Sequence, residues 1–561
     1  MKVHEAIVEF LLAEDIDTVY TLMSEDIMGV TATIRQHYSD EIQVVECRHE
    51  QGAIAMADGH SRATGEIGVA VVGRGPAIGQ AGTGLRTARN NESPVLVITS
   101  DSPQSTISDV KGFDQTAFLK ATCAAVESVR DPAALIPTFD DVFRRLRYDL
   151  GPITVQIPWD VIDGEATGVE GWEEESGIGS DRLQTAGARV HPDATDVDQI
   201  LDLYLDSDAT VPPVILAGEG AVAADAKDAI EGLAEQTSAV LATTLQAQGY
   251  FADHPFSVGF VGTFGTNLAN QTLTESDFML AVGCSLNEHT TDQRRLLEET
   301  TVVHVDTDPV TIGSETPVDL GVVGDASITV EAVSDELESM GMDFSGKFWT
   351  KSRERRFAET SPLDEREFEV DPGKLDPRDL IRALDPMLPE NMLVVTDGGH
   401  FINWVLDGIT VDHPDDYIWT IDFGAIGIGV PISFGAANAG TERATVLFTG
   451  DAGFMMSQPE MDTAMRQDIP VIVVAMNDAA LGSEYQQLAG RGMYTDAAVV
   501  ESPDFADLAE SFGAEGHTIR SIEDLEAVAG RVRDPPDGPL VLDCKIDRDV
   551  KHRFYDTVHE F

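Results

Sequence analysis

Short apolar runs recur along the chain, each closed by a glycine, a proline or an acid, with stretches of helical period between them. Val446-Leu447-Phe448-Thr449 and Val471-Ile472-Val473-Val474-Ala475-Met476 have the length and continuous apolarity of strands buried on both faces. From Gln458 to Gln467 the period is helical, with Met461, Ala464 and Met465 on one face. Strand, helix and strand make a βαβ unit, which places both strand ends at one edge of a parallel sheet. Pro94-Val95-Leu96-Val97-Ile98-Thr99 and Ile153-Thr154-Val155-Gln156-Ile157-Pro158 repeat the strand signal near the N-terminus. The pattern predicts an α/β protein with doubly wound parallel sheets in three blocks, residues 1–165, 195–335 and 375–548. The first break, from Asp163 to Val190, is rich in Gly, Glu, Ser and Asp and reads as a surface linker. A polar, charged stretch around Ser352 to Lys374 makes the second.

Composition adds a habitat. The 561 residues carry 37 Lys and Arg against 98 Asp and Glu, a formal net charge of −61 that is spread along the chain. A pervasive acidic surface resembles adaptation to a high-salt cytoplasm, where screening shortens charge repulsion to a few ångströms, and it disfavours nucleic acid as a partner. No apolar stretch approaches a membrane span, and Met1-Lys2-Val3-His4-Glu5 begins an amphipathic helix, unlike a signal peptide. Cys47, Cys123, Cys284 and Cys544 have no zinc-ligand or CxxC spacing and suit a reducing cytosol.

The chemistry begins at the two strand ends. Gly450-Asp451-Ala452-Gly453 follows the first strand and Asn477-Asp478 the second, so two acids emerge where open α/β sheets bind ligands. A hard cation that keeps phosphate oxygens in its shell needs only a few protein oxygens; Asp451, Asp478 and the Ala480 carbonyl could supply them. This spacing resembles the GDG…NN signature of thiamine diphosphate enzymes, with Ala452 for the middle Gly and Asp478 for the second Asn. Arg48-His49-Glu50-Gln51-Gly52-Ala53, Arg62-Ala63-Thr64-Gly65 and Gly73-Arg74-Gly75-Pro76 resemble the acetolactate synthase large-subunit branch of the same superfamily, in order and at matching intervals.

The resemblance implies three domains: pyrimidine-binding, central, and diphosphate-binding. It implies thiamine diphosphate and Mg²⁺ as cofactors, and it makes Glu50 the carboxylic acid hydrogen-bonded to N1′ of the coenzyme's aminopyrimidine, with His49 beside it as a packed donor. Phe423-Gly424-Ala425-Ile426-Gly427 resembles the stretch in which a bulky side chain, here Ile426, props the coenzyme and a Gly carbonyl, here Gly424, accepts from its amino group. Gly399 and His400, together with Gly450, Ala452 and Gly453, are implied to line the diphosphate. In the central block Pro213 to Gly220 is a strand and a Gly-containing turn, while Thr243-Thr244-Leu245, Gly262-Thr263-Phe264-Gly265, Ala281-Val282-Gly283 and Val303-His304-Val305-Asp306-Thr307-Asp308-Pro309 resemble positions that cradle FAD, which the resemblance allows. Cys284-Ser285-Leu286-Asn287-Glu288-His289 stands where flavin-binding members have an RFDDR-like stretch, so the pyrophosphate arginine is missing. The substrate side departs as well, with Val110-Lys111-Gly112 in place of FQE and Gln487 in place of the acceptor-selecting Trp. Lys111 and Gln487 are the substrate candidates.

The implied activity is decarboxylation and carboligation of a 2-oxo acid, in a homodimer or homotetramer whose active sites lie between subunits. A 2-oxo acid decarboxylase, a 2-hydroxyacyl-CoA lyase and a non-catalytic coenzyme-binding homologue are the alternatives.

Overall fold

The computed structural model describes residues 1–106, 108–148, 151–166, 189–207, 210–363 and 365–557. Most of the linker expected from Asp163 to Val190 lies outside the described residues. The polar stretch after Ser352 opens in a helix, Lys351–Glu359, none of whose residues is buried. Among the described residues no helix is long and apolar enough to cross a membrane.

Among the described residues eighteen strands form three six-stranded sheets. The first contains β1 (Thr18–Leu22), β2 (Gln43–Glu46), β3 (Gly68–Val72), β4 (Val95–Asp101), β5 (Ala125–Ser128) and β6 (Ile153–Pro158), in the order β2-β1-β3-β4-β6-β5. The central sheet contains β7 (Val214–Ala217), β8 (Val240–Thr243), β9 (Ser257–Phe260), β10 (Phe278–Val282), β11 (Thr301–Asp306) and β12 (Leu320–Val323), in the order β12-β11-β10-β7-β8-β9. The third contains β13 (Met392–Thr396), β14 (Tyr417–Trp419), β15 (Ala444–Gly450), β16 (Val471–Asn477), β17 (Glu515–Ile519) and β18 (Leu540–Lys545), in the order β14-β13-β15-β16-β18-β17. The pairings β1 to β3, β13 to β15 and β15 to β16 are all parallel. Buried-strand runs such as Val446–Thr449 are apolar throughout because helices cover both faces.

The first and third sheets have the same strand order, so the outer blocks are two copies of one topology. They also share a hydrophobic core that includes Ile54, Met56, Ile432, Phe434 and Phe454. At its centre, helix Glu50–Thr64, which follows β2, packs on helix Gly429–Asn438, which follows β14 at the equivalent place in the third sheet. Two glycines permit backbone contact: a Cβ on Gly59 would collide with the Ile432 carbonyl, and one on Gly435 with the Met56 carbonyl. Those pairings run antiparallel. The central sheet has its own cores, one around Ile215, Leu280 and Val303 and another around Leu216 and Ala281.

Candidate active site

In the third sheet the order reverses between β13 and β15, and the carboxyl ends of these strands and of β16 carry the site. Thr396 ends β13 and is followed by Asp397, Gly398, Gly399 and His400. Gly450 ends β15, and helix Asp451–Ser457 starts at once. Asn477 ends β16 and the chain turns through Asp478 to Ala480, with Ala479 left-handed at φ 54°.

Asp451 and Asp478 are 3% and 5% exposed. Burial raises the pKa of both carboxyls, and for Asp478 the neighbouring Asp451 adds to it, pushing the group up to about 7, while Arg548 and Lys374 pull it down. Asp478 Oδ1 accepts from Ala480 N at 2.9 Å, and Asp451 Oδ2 from Ser502 Oγ at 2.9 Å. The bridge that holds this turn uses Leu481 N and Ala479 O, which leaves the Ala480 carbonyl out of it. Two buried, mutually repelling carboxylates beside a backbone oxygen form a donor set suited to a hard divalent cation. Asn477 points the other way: its Nδ2 donates to Asp543 Oδ1 at 3.0 Å, and Asp543 in turn holds Lys545 at 2.5 Å and Phe505 N at 2.7 Å. Asn477 is thus committed to β18, and Asp478, one residue on, is the acid left beside Asp451.

The glycines around these acids are tightly packed. A Cβ on Gly482 would lie 2.9 Å from His400 Cβ and run into Asp478 Oδ2, so the helix Gly482–Gly490 seats against both side chains. A Cβ on Gly398 would lie 2.9 Å from Ile426 Cγ2, which brings the expected prop over the end of β13. Gly399, at φ 151°, and Gly424, at φ 71°, are in backbone regions that favour glycine. Ala452 is half-buried in the first turn of its helix, and a Cβ on Gly453 would strike Asp397 Oδ2.

Asp397, which the family resemblance did not single out, is the side chain that organises this end of the sheet. It is fully buried, both of its oxygens accept from Gly427 N at 2.9 Å, and Oδ2 accepts from Thr449 Oγ1 at 3.0 Å. It therefore ties the loop of Ile426 to β13 and β15. Burial pushes its pKa up to about 6 against those hydrogen bonds. An acid directly after an apolar strand was its signal, the same signal that singled out Asp451.

Glu50 opens helix Glu50–Thr64 and is half-buried; the His49 ring caps the helix by accepting from Gln51 N at 3.1 Å. Among the described residues no hydrogen bond or ion pair joins Glu50 to Ile426, Asp451 or Asp478. Lys111 is held by Glu25 at 3.0 Å and Asp26 at 3.7 Å, in a cluster where Arg74 also bridges Asp26 and Asp109. Gln487 is half-buried on helix Gly482–Gly490, and its neighbour Gln486 is the residue turned inward, donating to the Arg548 carbonyl at 2.6 Å.

Comparison with known proteins agrees with this fold. Residues 1–122 match the thiamine pyrophosphate enzyme N-terminal TPP binding domain, 208–333 the thiamine pyrophosphate enzyme central domain, and 397–544 the C-terminal TPP binding domain. The chain is 29% identical to a probable acetolactate synthase large subunit of Methanocaldococcus jannaschii, over 98% of this chain and 92% of that one. It is 27% identical to the acetolactate synthase isozyme 3 large subunit of Escherichia coli K12, over 93% and 90% of the two chains. A solved structure, the thiamine diphosphate-dependent 4-hydroxybenzoylformate decarboxylase of Rhodococcus jostii RHA1, superposes with a TM-score of 0.78 at 20% identity, covering 98% of this chain and all of that one, which speaks to the fold. With three domain models matched in order on three parallel sheets, the chain belongs to the thiamine pyrophosphate enzyme family, as an acetolactate synthase-like enzyme of the lyase and carboligase type.

Proposed function

We propose that the chain catalyses thiamine diphosphate- and Mg²⁺-dependent decarboxylation of a 2-oxo acid and joins the product to an acceptor, as an acetolactate synthase-like homodimer or homotetramer with active sites between subunits. Its carrying observation is the pair of buried carboxylates, Asp451 and Asp478, at the switch point of the third sheet. In this reading Asp451, Asp478 and the Ala480 carbonyl hold the metal, while Gly399, His400, Gly450, Ala452 and Gly453 face the diphosphate. Gly424 accepts from the coenzyme's amino group and Ile426 props its bend, a role that suits a stiff β-branched side chain. Glu50 holds the proton shared with the pyrimidine ring. When bound, the coenzyme would supply a nucleophilic carbon and an electron sink for the bonding pair left behind when carbon dioxide departs.

The antiparallel helix pair supports the shared site. Along helix Glu50–Thr64, the Glu50 end meets Glu460, whose carboxylate accepts from Arg48 N, whereas at the far end Arg62 acts electrostatically on Asp422, just before Gly424. The helix has 15 residues and is roughly 22 Å long, too far for one chain's Glu50 to reach its own Gly424–Ile426 loop. A second copy related by two-fold symmetry brings the two together.

Lys111 and Gln487 would meet the substrate, Lys111 by exchanging the half-exposed Glu25 for a substrate carboxylate. Flavin fits the central domain poorly. Gly218 N and Gly220 N, after β7, are engaged with the Val282 and Gly283 carbonyls, and Arg294 and Arg295 are held by the Glu315 carbonyl and Asp292.

The test is complementation. Glu50→Gln lowers turnover by roughly 10²–10⁴-fold, as expected for a lost acid–base group, and Asp451→Ala abolishes metal-dependent turnover. In mixed dimers of the two variants a shared site leaves one intact pair, and carbon dioxide release from a 2-oxo acid panel recovers on mixing. Failure to recover, with mixed dimers confirmed by mass, refutes the shared site.

A further inference from the structure

Glu460 is a charged residue in an apolar place. It opens helix Glu460–Arg466, on the face that also carries Ala464, and it is 2% exposed. Its two carboxylate oxygens each lie 3.1 Å from Arg48 N, and Oε2 accepts from Thr463 Oγ1 at 2.6 Å. The His49 amide also points at it, and burial raises its pKa against these donors. Gly52 makes the room: a Cβ there would collide with Glu460 Oε1. The carboxylate is therefore seated at the open end of helix Glu50–Thr64, where unpaired amides and the helix dipole favour an anion. Around it Arg48 Nε donates to Asp462 at 2.6 Å and Arg466 Nη2 to the Glu46 carbonyl at 2.6 Å, so the whole segment from the end of β2 to Glu50 is gripped from the third sheet's side. The mirror grip, Asn90 Nδ2 on the Asp422 carbonyl at 2.8 Å, falls at the equivalent place before Gly424.

We propose that Glu460 is the positioning residue for Glu50: its buried carboxylate fixes the backbone that leads into the relay acid and so sets the direction in which Glu50 meets the coenzyme of the neighbouring subunit. This rests on the reading of Glu50 as the relay acid. Glu460 lies nine residues beyond Asp451, across two consecutive short helices, so the side chain that sets one site's relay acid is carried by the element that starts at the other site's metal ligand. Glu460 touches no reacting atom; it acts through Glu50.

A double-mutant cycle separates that role from a general loss of fold. Glu460→Gln keeps the shape and one acceptor oxygen, and Glu460→Ala leaves the two amides without an acceptor. Both are expected to lower kcat, the Ala variant by about 10²-fold, the loss that follows a misplacement of about 1 Å, while the coenzyme titration followed by calorimetry and the KM for the 2-oxo acid stay near those of the parent. In a Glu50→Gln background the Glu460 substitutions are expected to cost no further turnover, because the group they direct is already gone. Losses that multiply in the double variant, or a kcat unchanged in Glu460→Ala, overturn the inference alone. Near-normal turnover of Glu50→Gln by itself overturns the relay reading and this inference with it.

Discussion

At the residue scale, the site is a set of buried acids whose environments differ. Asp478 has another carboxylate beside it; with the two as the proposed metal ligands, Asp478→Asn, which removes a charge and keeps a ligand oxygen, is expected to bind coenzyme in Mg²⁺. Asp478→Ala is expected to weaken binding at least about tenfold, or 1.4 kcal/mol; calorimetric titration decides, and parent-like affinity in the Ala variant removes Asp478 from the metal site. Asp397 has amides around it and titrates from a raised value. A folded pKa of about 6 above an ordinary 3.8 means that its contribution to stability is full below about pH 4 and lost as pH rises through 6. Relative to Asp397→Asn, the coenzyme-free parent should lose on the order of 3 kcal/mol between pH 4 and pH 7. Parallel stability curves for the two proteins in denaturant would sink this assignment.

At the element scale, two helices in equivalent places of two sheets meet through glycines, and the contact is backbone on backbone. Because a carbonyl cannot rotate away as a side chain can, Gly59→Ala should destabilise the protein by about 1–3 kcal/mol, despite the better helix propensity of alanine. Gly530, on the exposed face of helix Ile522–Arg533, has no atom near its missing Cβ and supplies the control. Gly530→Ala should be neutral or stabilising by up to about 1 kcal/mol. Denaturation midpoints of the two variants that move together would show that the helix contact is looser than its geometry implies.

At the scale of the whole molecule, a net charge of −61 opposes compaction wherever screening is weak. The Debye length falls from about 10 Å at 0.1 M salt to about 3 Å at 1 M. The thermal midpoint should accordingly climb at least about 5 °C between 0.1 and 1 M KCl, a shift that corresponds to about 6 kcal/mol in a chain of this size. A midpoint flat over that range would separate the acidic surface from any dependence on salt. Ion pairs such as Lys2 with Glu165, both exposed, weaken in the same titration and contribute little to the result.

Strands and their ends were legible in the sequence because a strand covered on both faces must be apolar along its whole length and must stop where the chain turns back. That placed Asp451 and Asp478 on neighbouring strand ends, and the roles proposed for Glu50 and Ile426 came only from the family resemblance of their motifs. Tertiary structure alone decided that Asn477 is committed to Asp543 and β18, that Asp397 ties the Ile426 loop to two strands, and that Glu460 holds the amides leading to Glu50. Each of these joins residues tens to hundreds of positions apart, with no local period to announce it. An acid on an apolar helix face, as at Glu460, can be read in sequence as an anomaly; what satisfies it is a backbone more than 400 residues upstream, and only folding brings that partner within hydrogen-bonding distance.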